Sequence, residues 1–305
     1  MKPENPPAVG TGKVRSRSRK RWARRLAPLQ LAYHSVKNYA ALRVSSNAVS
    51  AYWYPENNFG DQLTPYLLRY CGLKPLFMPQ PVYSDVICVG SILEHVPESY
   101  NGIILGSGFL FPGTHKIFKR ARILAVRGRF TAEKLSLSAN VALGDPGLLV
   151  GKVFEQEVAE QEKRFVLGIV PHYRDIGSAP IERLAARYPR ELRIIDVCQP
   201  PLQVMLEIAA CQSILSSSLH GVIAAHSLDI PAAPIHILGH LLGGEFKFHD
   251  YFSAIGSAPD FTKISGDEDL TRLCALARPA DTEKIQSVQA AIEGVFAHLA
   301  EQIRN

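Results

Sequence analysis

Long hydrophobic runs are missing from this chain. No stretch approaches eighteen uninterrupted apolar residues, so a membrane-spanning helix is not expected. The N-terminus lacks the apolar segment that a secretory signal carries after its basic start, and the expected location is cytoplasmic. Cysteine is scarce and scattered. Cys71, Cys88, Cys198, Cys211 and Cys274 are odd in number and form no C-x-x-C pair, which argues against a disulfide framework or a structural zinc and suits a reducing compartment. There is no G-x-S-x-G turn of the kind that exposes a nucleophilic serine. His236 and His240 stand four apart, but Gly239 interrupts any helix there and no carboxylate follows at metalloprotease spacing, so no metal is expected.

What is present is an ordinary globular composition, with 47% hydrophobic and 20% charged residues in 305. The net charge of +6 is uneven, because KVRSRSRKRWARR (13–25) carries eight of the lysines and arginines and the remainder is close to neutral. Residues 1–28 are therefore read as a basic arm, disordered when unbound. The arm suits a solvated tail or a peripheral contact with an anionic membrane, where Trp22 would sit well. The near-neutral body speaks against a nucleic-acid partner.

From about residue 48, short apolar runs alternate with stretches of helical period, the signature of an α/β protein. AVSAYWY (48–54), SDVICVG (84–90), GIILGSG (102–108) and RILAVRG (122–128) read as buried strands. DQLTPYLLRYCG (61–72) reads as a helix, and TAEKLSL (131–137) as a short one opened by a capping threonine. The alternation pauses at GDPGLLV (144–150) and a charged connection at 151–164. A second series follows: strands FVLGIV (165–170), LRIIDV (192–197), SILSS (213–217) and AAPIHIL (232–238), with helices at 180–188, 201–211 and 221–228. A long amphipathic helix closes the chain over 282–303. The expected organisation is two Rossmann-like domains, 29–150 and 165–260, facing a cleft, then a helical segment at 261–305. Ligands in such sheets bind beyond the carboxyl ends of the strands.

SILSSSLHGVIAAHSLDIPA (213–232) is the most informative segment. A strand ends in three serines and a helix begins near Gly221, so unpaired backbone N–H groups and a positive dipole end await an anion. Ser217 and Ser218 would cap or donate, Gly221 would permit close approach, and His220 would project toward the cleft.

The string S-S-S-L-H-G followed by a helix and D-I-P resembles the C-terminal signature of the polysaccharide pyruvyltransferases. Further stretches recur in order: NNFGDQLTPYLL (57–68), GSGF (106–109), AVRGRFTAEKL (125–135) and LGDPGLLV (143–150). FKFHDYFSAIG (246–256) resembles the tail of the branch acting on succinoglycan-like exopolysaccharides. The resemblance implies a GT-B-like glycosyltransferase architecture and transfer of pyruvate from phosphoenolpyruvate to two hydroxyls of a hexose as a cyclic ketal. The hexose would belong to a lipid-linked or polysaccharide acceptor, and no cofactor is implied. Within it, Arg127 would contact the donor with its planar fork. His220 would carry the proton, and Ser217, Ser218, Leu219 and Gly221 would complete the donor site. Many members have an arginine two residues before the histidine, where this chain has Ser218; His172, Arg174 and Lys247 are the candidates to replace that contact. Asn58 and Asp61 are expected at the acceptor, Asp61 alternatively capping the helix it begins. Asp145, before Pro146, reads as a turn residue. The rival reading is a nucleotide-sugar-dependent glycosyltransferase of the same architecture.

Overall fold

The computed structural model describes residues 31–39, 41–42, 44–55, 58–137, 140–238 and 243–304. The basic stretch at 13–25 and His240 lie outside them.

Two parallel sheets organise the molecule. The first has six strands in the order β2-β1-β3-β4-β5-β6: β1 Ala48–Tyr52, β2 Lys74–Phe77, β3 Val86–Ile87, β4 Ile103–Leu105, β5 Arg122–Val126 and β6 Ala142–Leu143. The second has five, ordered β11-β10-β9-β7-β8: β7 Phe165–Val170, β8 Leu192–Ile194, β9 Cys211–Ser216, β10 Ala232–His236 and β11 Thr262–Lys263. Every strand pairing within these sheets is parallel. The central strands are apolar because helices cover both faces; all five residues of β1 are buried. Both sheets reverse their strand order once, between β1 and β3 and between β7 and β9, as doubly wound folds do. This is an α/β protein consistent with two Rossmann-like units.

Seven helices matter to the site: α1 Thr64–Tyr70, α2 Arg129–Lys134, α3 Ala179–Arg187, α4 Pro201–Ala209, α5 Leu219–Ser227, α6 Phe246–Ala254 and α7 Thr282–Arg304. One apolar cluster joins the two sheets, running from Val49, Leu63 and Ala125 through Leu148–Val150 to Val170, Ile214, Val222 and Phe248. The stretch read as the start of a connection is thus core: Leu148, Leu149 and Val150 are fully buried, and short helical turns at Pro146–Leu149 and Val150–Val153 pack on α5. Helix α7 returns to the first sheet. Ile285, Val288, Ile292, Phe296 and Leu299 face inward at helical spacing, each worth roughly 1.5–3 kcal/mol relative to exposure. Gln289 Nε2 donates to the Leu148 carbonyl at 2.8 Å.

Several expectations are corrected. Helix α2 begins at Arg129 with Gly128 as its cap, so Thr131 lies inside it and does not cap it. Helix α5 begins at Leu219, two residues earlier than expected, which places His220 in its first turn. Strands β3 and β4 are shorter than their apolar runs.

Candidate active site

The carboxyl ends of both sheets open onto one cavity of about 350 Å³. Tyr54, Asn58 and Asp61 reach it from the loop after β1, Ser91 and His95 from that after β3, and Leu110 from that after β4. The second sheet contributes His172 and Tyr173 after β7, Cys198 after β8, Ser218–His220 after β9, and Lys247 from α6. The cavity therefore adjoins both strand-order reversals, the position that doubly wound sheets reserve for ligands. The loops meet there directly: the Phe59 N–H donates to the Val197 carbonyl at 2.8 Å.

His220 is held in a fitted slot. It is buried, and its Nε2 lies 3.6 Å from Asp145 Oδ2. Both atoms are buried, and neither has a hydrogen-bond partner among the described residues. The other oxygen of Asp145 accepts the Gly147 N–H at 2.9 Å and caps the turn Pro146–Leu149. Asp145 therefore does what the sequence suggested, and also faces the imidazole, which the sequence did not reveal. Gly60 explains its own motif, since a Cβ there would overlap His220 Nδ1. Gly147 is also close, its would-be Cβ lying 3.4 Å from His220 Cδ2. The N-x-G-D loop, the D-P turn and α5 thus converge on one ring. Asn58 Nδ2 donates to Asp61 Oδ2 at 2.7 Å, and both residues line the cavity. The cap of that turn is Gly60, and no side-chain hydrogen bond caps it.

Lys247 supplies the cation. Its side chain is 6% exposed, lines the cavity, and makes no hydrogen bond or ion pair among the described residues. Burial, and then the charge of Arg127, lower its pKa to about 8; Asp61 and Asp175 act in the opposite sense. His172 is a cavity neighbour whose pKa is lowered to about 4 by burial and then by Lys247 and Arg174, so it is neutral near pH 7. Arg174 itself is exposed, over the Tyr173 ring, and does not line the cavity.

Of the serines, Ser217 is committed to structure. Its hydroxyl donates to buried Asp175 at 2.6 Å and accepts the His172 N–H at 2.8 Å, holding the loop after β7 in place. Ser218 caps α5 by position and faces the cavity together with Leu219. Gly221 is not there for a ligand. A Cβ on it would run into Ser216 Oγ and the Val170 side chain, so it lets α5 lie against β7 and β9.

Arg127 is fully buried behind the cavity wall. Its Nε donates to Asp250 Oδ2 at 2.9 Å, one terminal nitrogen to the Ser91 hydroxyl and the other to the Phe109 carbonyl. Asp250 also accepts from the Thr131 N–H at 2.8 Å and the Thr131 hydroxyl at 2.6 Å. A Cβ at Gly108 would reach the guanidinium, and one at Gly128 would overlap the Asp250 backbone. The G-S-G-F and V-R-G motifs together form a socket for α6. Arg127 meets the cavity through Ser91, which lines it. His236 is bonded to Glu245 at 2.7 Å.

One cavity thus brings together the ends of both sheets, the N-terminus of α5, a lysine without an ion pair among the described residues, and a histidine–aspartate pair. The match to a family model makes the class definite: the model for polysaccharide pyruvyl transferase covers residues 42–236, and the chain belongs to that family. Among its relatives, the uncharacterized protein L143 of Acanthamoeba polyphaga mimivirus is 34% identical over 179 residues, 56% of this chain and 60% of that protein. The succinoglycan biosynthesis protein ExoV of Rhizobium meliloti (strain 1021) is 26% identical over 217 residues, 67% of this chain and 64% of that protein. The chain thus spans less than two thirds of the length of either.

Proposed function

We propose that the protein transfers pyruvate from phosphoenolpyruvate to two hydroxyls of a hexose in an exopolysaccharide repeat, forming a cyclic ketal and releasing phosphate. The observation that carries this reading is Lys247, a buried ammonium with no hydrogen bond or ion pair among the described residues, lining one cavity with His220 and the N-terminus of α5. A donor bearing a carboxylate and a phosphate has two anionic groups, and this wall offers a cation and the N-terminal end of α5 for them. The family membership and the succinoglycan biosynthesis protein among the relatives support the same reading.

In the proposed reaction the methylene carbon of the donor takes a proton, and a sugar hydroxyl adds to the neighbouring carbon. Phosphate leaves with the electrons of its C–O bond, and a second hydroxyl closes the ring. Of the two hydroxyl protons, one ends on the new methyl group and one on phosphate, so the step balances without a further co-reactant. His220 is the proton carrier. Asp145 Oδ2 would accept its Nε2–H, fixing the tautomer that leaves Nδ1 to act. Lys247, Ser218 and the first N–H groups of α5 bind the donor, and Asn58 and Asp61 face the acceptor. Arg127 acts at one remove, positioning Ser91 and α6. The two parallel sheets meeting at one cavity, with α7 returning to the first, support a GT-B-like arrangement. A cytoplasmic site of action, as the scattered cysteines suggest, is part of the same reading.

Calorimetric titration tests the donor. Phosphoenolpyruvate should bind wild type, and binding should weaken at least a hundredfold in Lys247→Met. Tight binding of a nucleotide sugar with none of phosphoenolpyruvate would overturn the reading in favour of a glycosyltransferase.

A further inference from the structure

The two walls of the cavity differ in charge. Lys247, His172 and the start of α5 belong to the wall that the second sheet and α6 provide. The wall from the first sheet is built chiefly by Tyr54, Asn58, Asp61, Ser91 and His95. Among the described residues lining that wall there is no lysine or arginine, and Asp61 is a carboxylate. An anionic group meets like charge there, whereas an uncharged polyol can donate its hydroxyls to Asp61.

The same wall carries an aromatic surface. The Tyr54 and His95 rings lie 24° from parallel, with centroids 6.2 Å apart. Tyr54 is half-buried and His95 is exposed. Both side chains stand on anchored backbone. The Tyr54 carbonyl accepts from Gln62 Nε2 at 3.2 Å, which ties it to the turn carrying Asp61. His95 ends a short helical turn, Leu93–His95, seated by the fully buried Leu93. Glu94 of that turn accepts the Leu110 N–H at 2.6 Å and the Phe111 N–H at 2.9 Å. Rings held in this way lose little freedom when a ligand covers them.

A pyranose has the matching chemistry. Its hydroxyls lie round the edge of the ring, and its axial C–H bonds form a weakly positive, apolar face. The face of an aromatic ring is negative and takes such a C–H patch, while a carboxylate and an amide nearby take the hydroxyls. We infer that Tyr54, with His95 beside it, seats the C–H face of a neutral hexose, and that Asn58 and Asp61 hold its hydroxyls. The inference rests on the pyruvyl-transfer reading for what then happens to the sugar, but not for its binding.

Calorimetric titration with a panel of methyl β-hexopyranosides tests the seat without turnover. Wild type should bind at least one neutral hexoside, and should bind the corresponding hexuronate, with its extra carboxylate, about tenfold more weakly. Tyr54→Ala should weaken the neutral sugar about tenfold and leave the affinity for phosphoenolpyruvate within about twofold. Tyr54→Phe keeps the ring and should bind both sugar and donor as wild type does. Undiminished hexoside binding by Tyr54→Ala, equal loss of donor and hexoside, or a hexuronate bound as tightly as the neutral sugar would each overturn the inference. So would a wild type that binds no hexoside of the panel, or a Tyr54→Ala variant that loses only a nucleoside monophosphate. Hexoside binding lost in Tyr54→Ala, with no phosphate released from phosphoenolpyruvate by wild type, would contradict the pyruvyl-transfer reading and uphold the seat.

Discussion

At Lys247 an ammonium is held in the interior with no ion pair among the described residues, and such a group costs stability unless a ligand uses it. Its folded pKa of about 8 lies below the ordinary lysine value of 10.5, so the unfolded chain binds the proton more tightly. The sign follows: the penalty is fully present below pH 8 and fades as pH rises toward 10.5. Lys247→Met should therefore stabilise the protein near pH 7, on the order of 3 kcal/mol, while abolishing donor binding. Thermal unfolding of both proteins from pH 7 to 10.5 checks this, and the gap in Tm should close at the alkaline end. Donor affinity should be level below pH 8 and fall roughly tenfold per unit above it. Asp145 makes a second residue-scale prediction. In Asp145→Asn the Oδ1 contact to Gly147 survives, but an amide replaces the oxygen facing His220 Nε2 and selects the wrong tautomer. Turnover should fall on the order of 10²–10⁴ with donor affinity unchanged, measured as kcat against KM. Equal loss of both would assign Asp145 a merely structural part.

Between elements, the buried pair Arg127–Asp250 ties the end of β5 to α6, and α6 carries Lys247 into the cavity. Both partners are fully buried, so removing one leaves an uncompensated charge, at a cost of about 3–5 kcal/mol. Arg127→Met should lower Tm markedly and weaken donor binding through α6, and adding Asp250→Leu should restore much of the stability. A variant that keeps wild-type Tm and loses only activity would instead mean that Arg127 touches the donor. This socket was not legible in the sequence, because a conspicuous arginine after an apolar strand looks the same whether it meets a ligand or a distant aspartate 123 residues on. The strands divide in a similar way. Those buried over most of their length, such as β1, β7 and β9, announce themselves as apolar runs. The unpredicted strands β2, β6 and β11 are all sheet edges; two have only two residues and β2 contains Pro75, tolerated at an edge.

At the scale of the whole molecule, the parallel architecture was readable from the alternation of runs, and the place of the cavity followed from the rule about strand ends. What the alternation hides is that the two sheets share one core and that α7 returns to the first sheet. Of the residues singled out from the sequence, His220, Ser218, Leu219, His172, Lys247, Asn58 and Asp61 meet in the cavity, while Arg127, Arg174, Ser217 and Gly221 lie outside its lining. Asp145 could be found only in three dimensions, because its partner is 75 residues away. The central claim is that this cavity carries pyruvyl transfer. The direct measurement is phosphate release from phosphoenolpyruvate with a panel of lipid-linked and synthetic hexosides, comparing wild type with His220→Ala. The account predicts acceptor-dependent release in wild type and its loss in the variant. Undiminished release by His220→Ala, or release of a nucleoside diphosphate from a nucleotide sugar with none of phosphate from phosphoenolpyruvate, would contradict it.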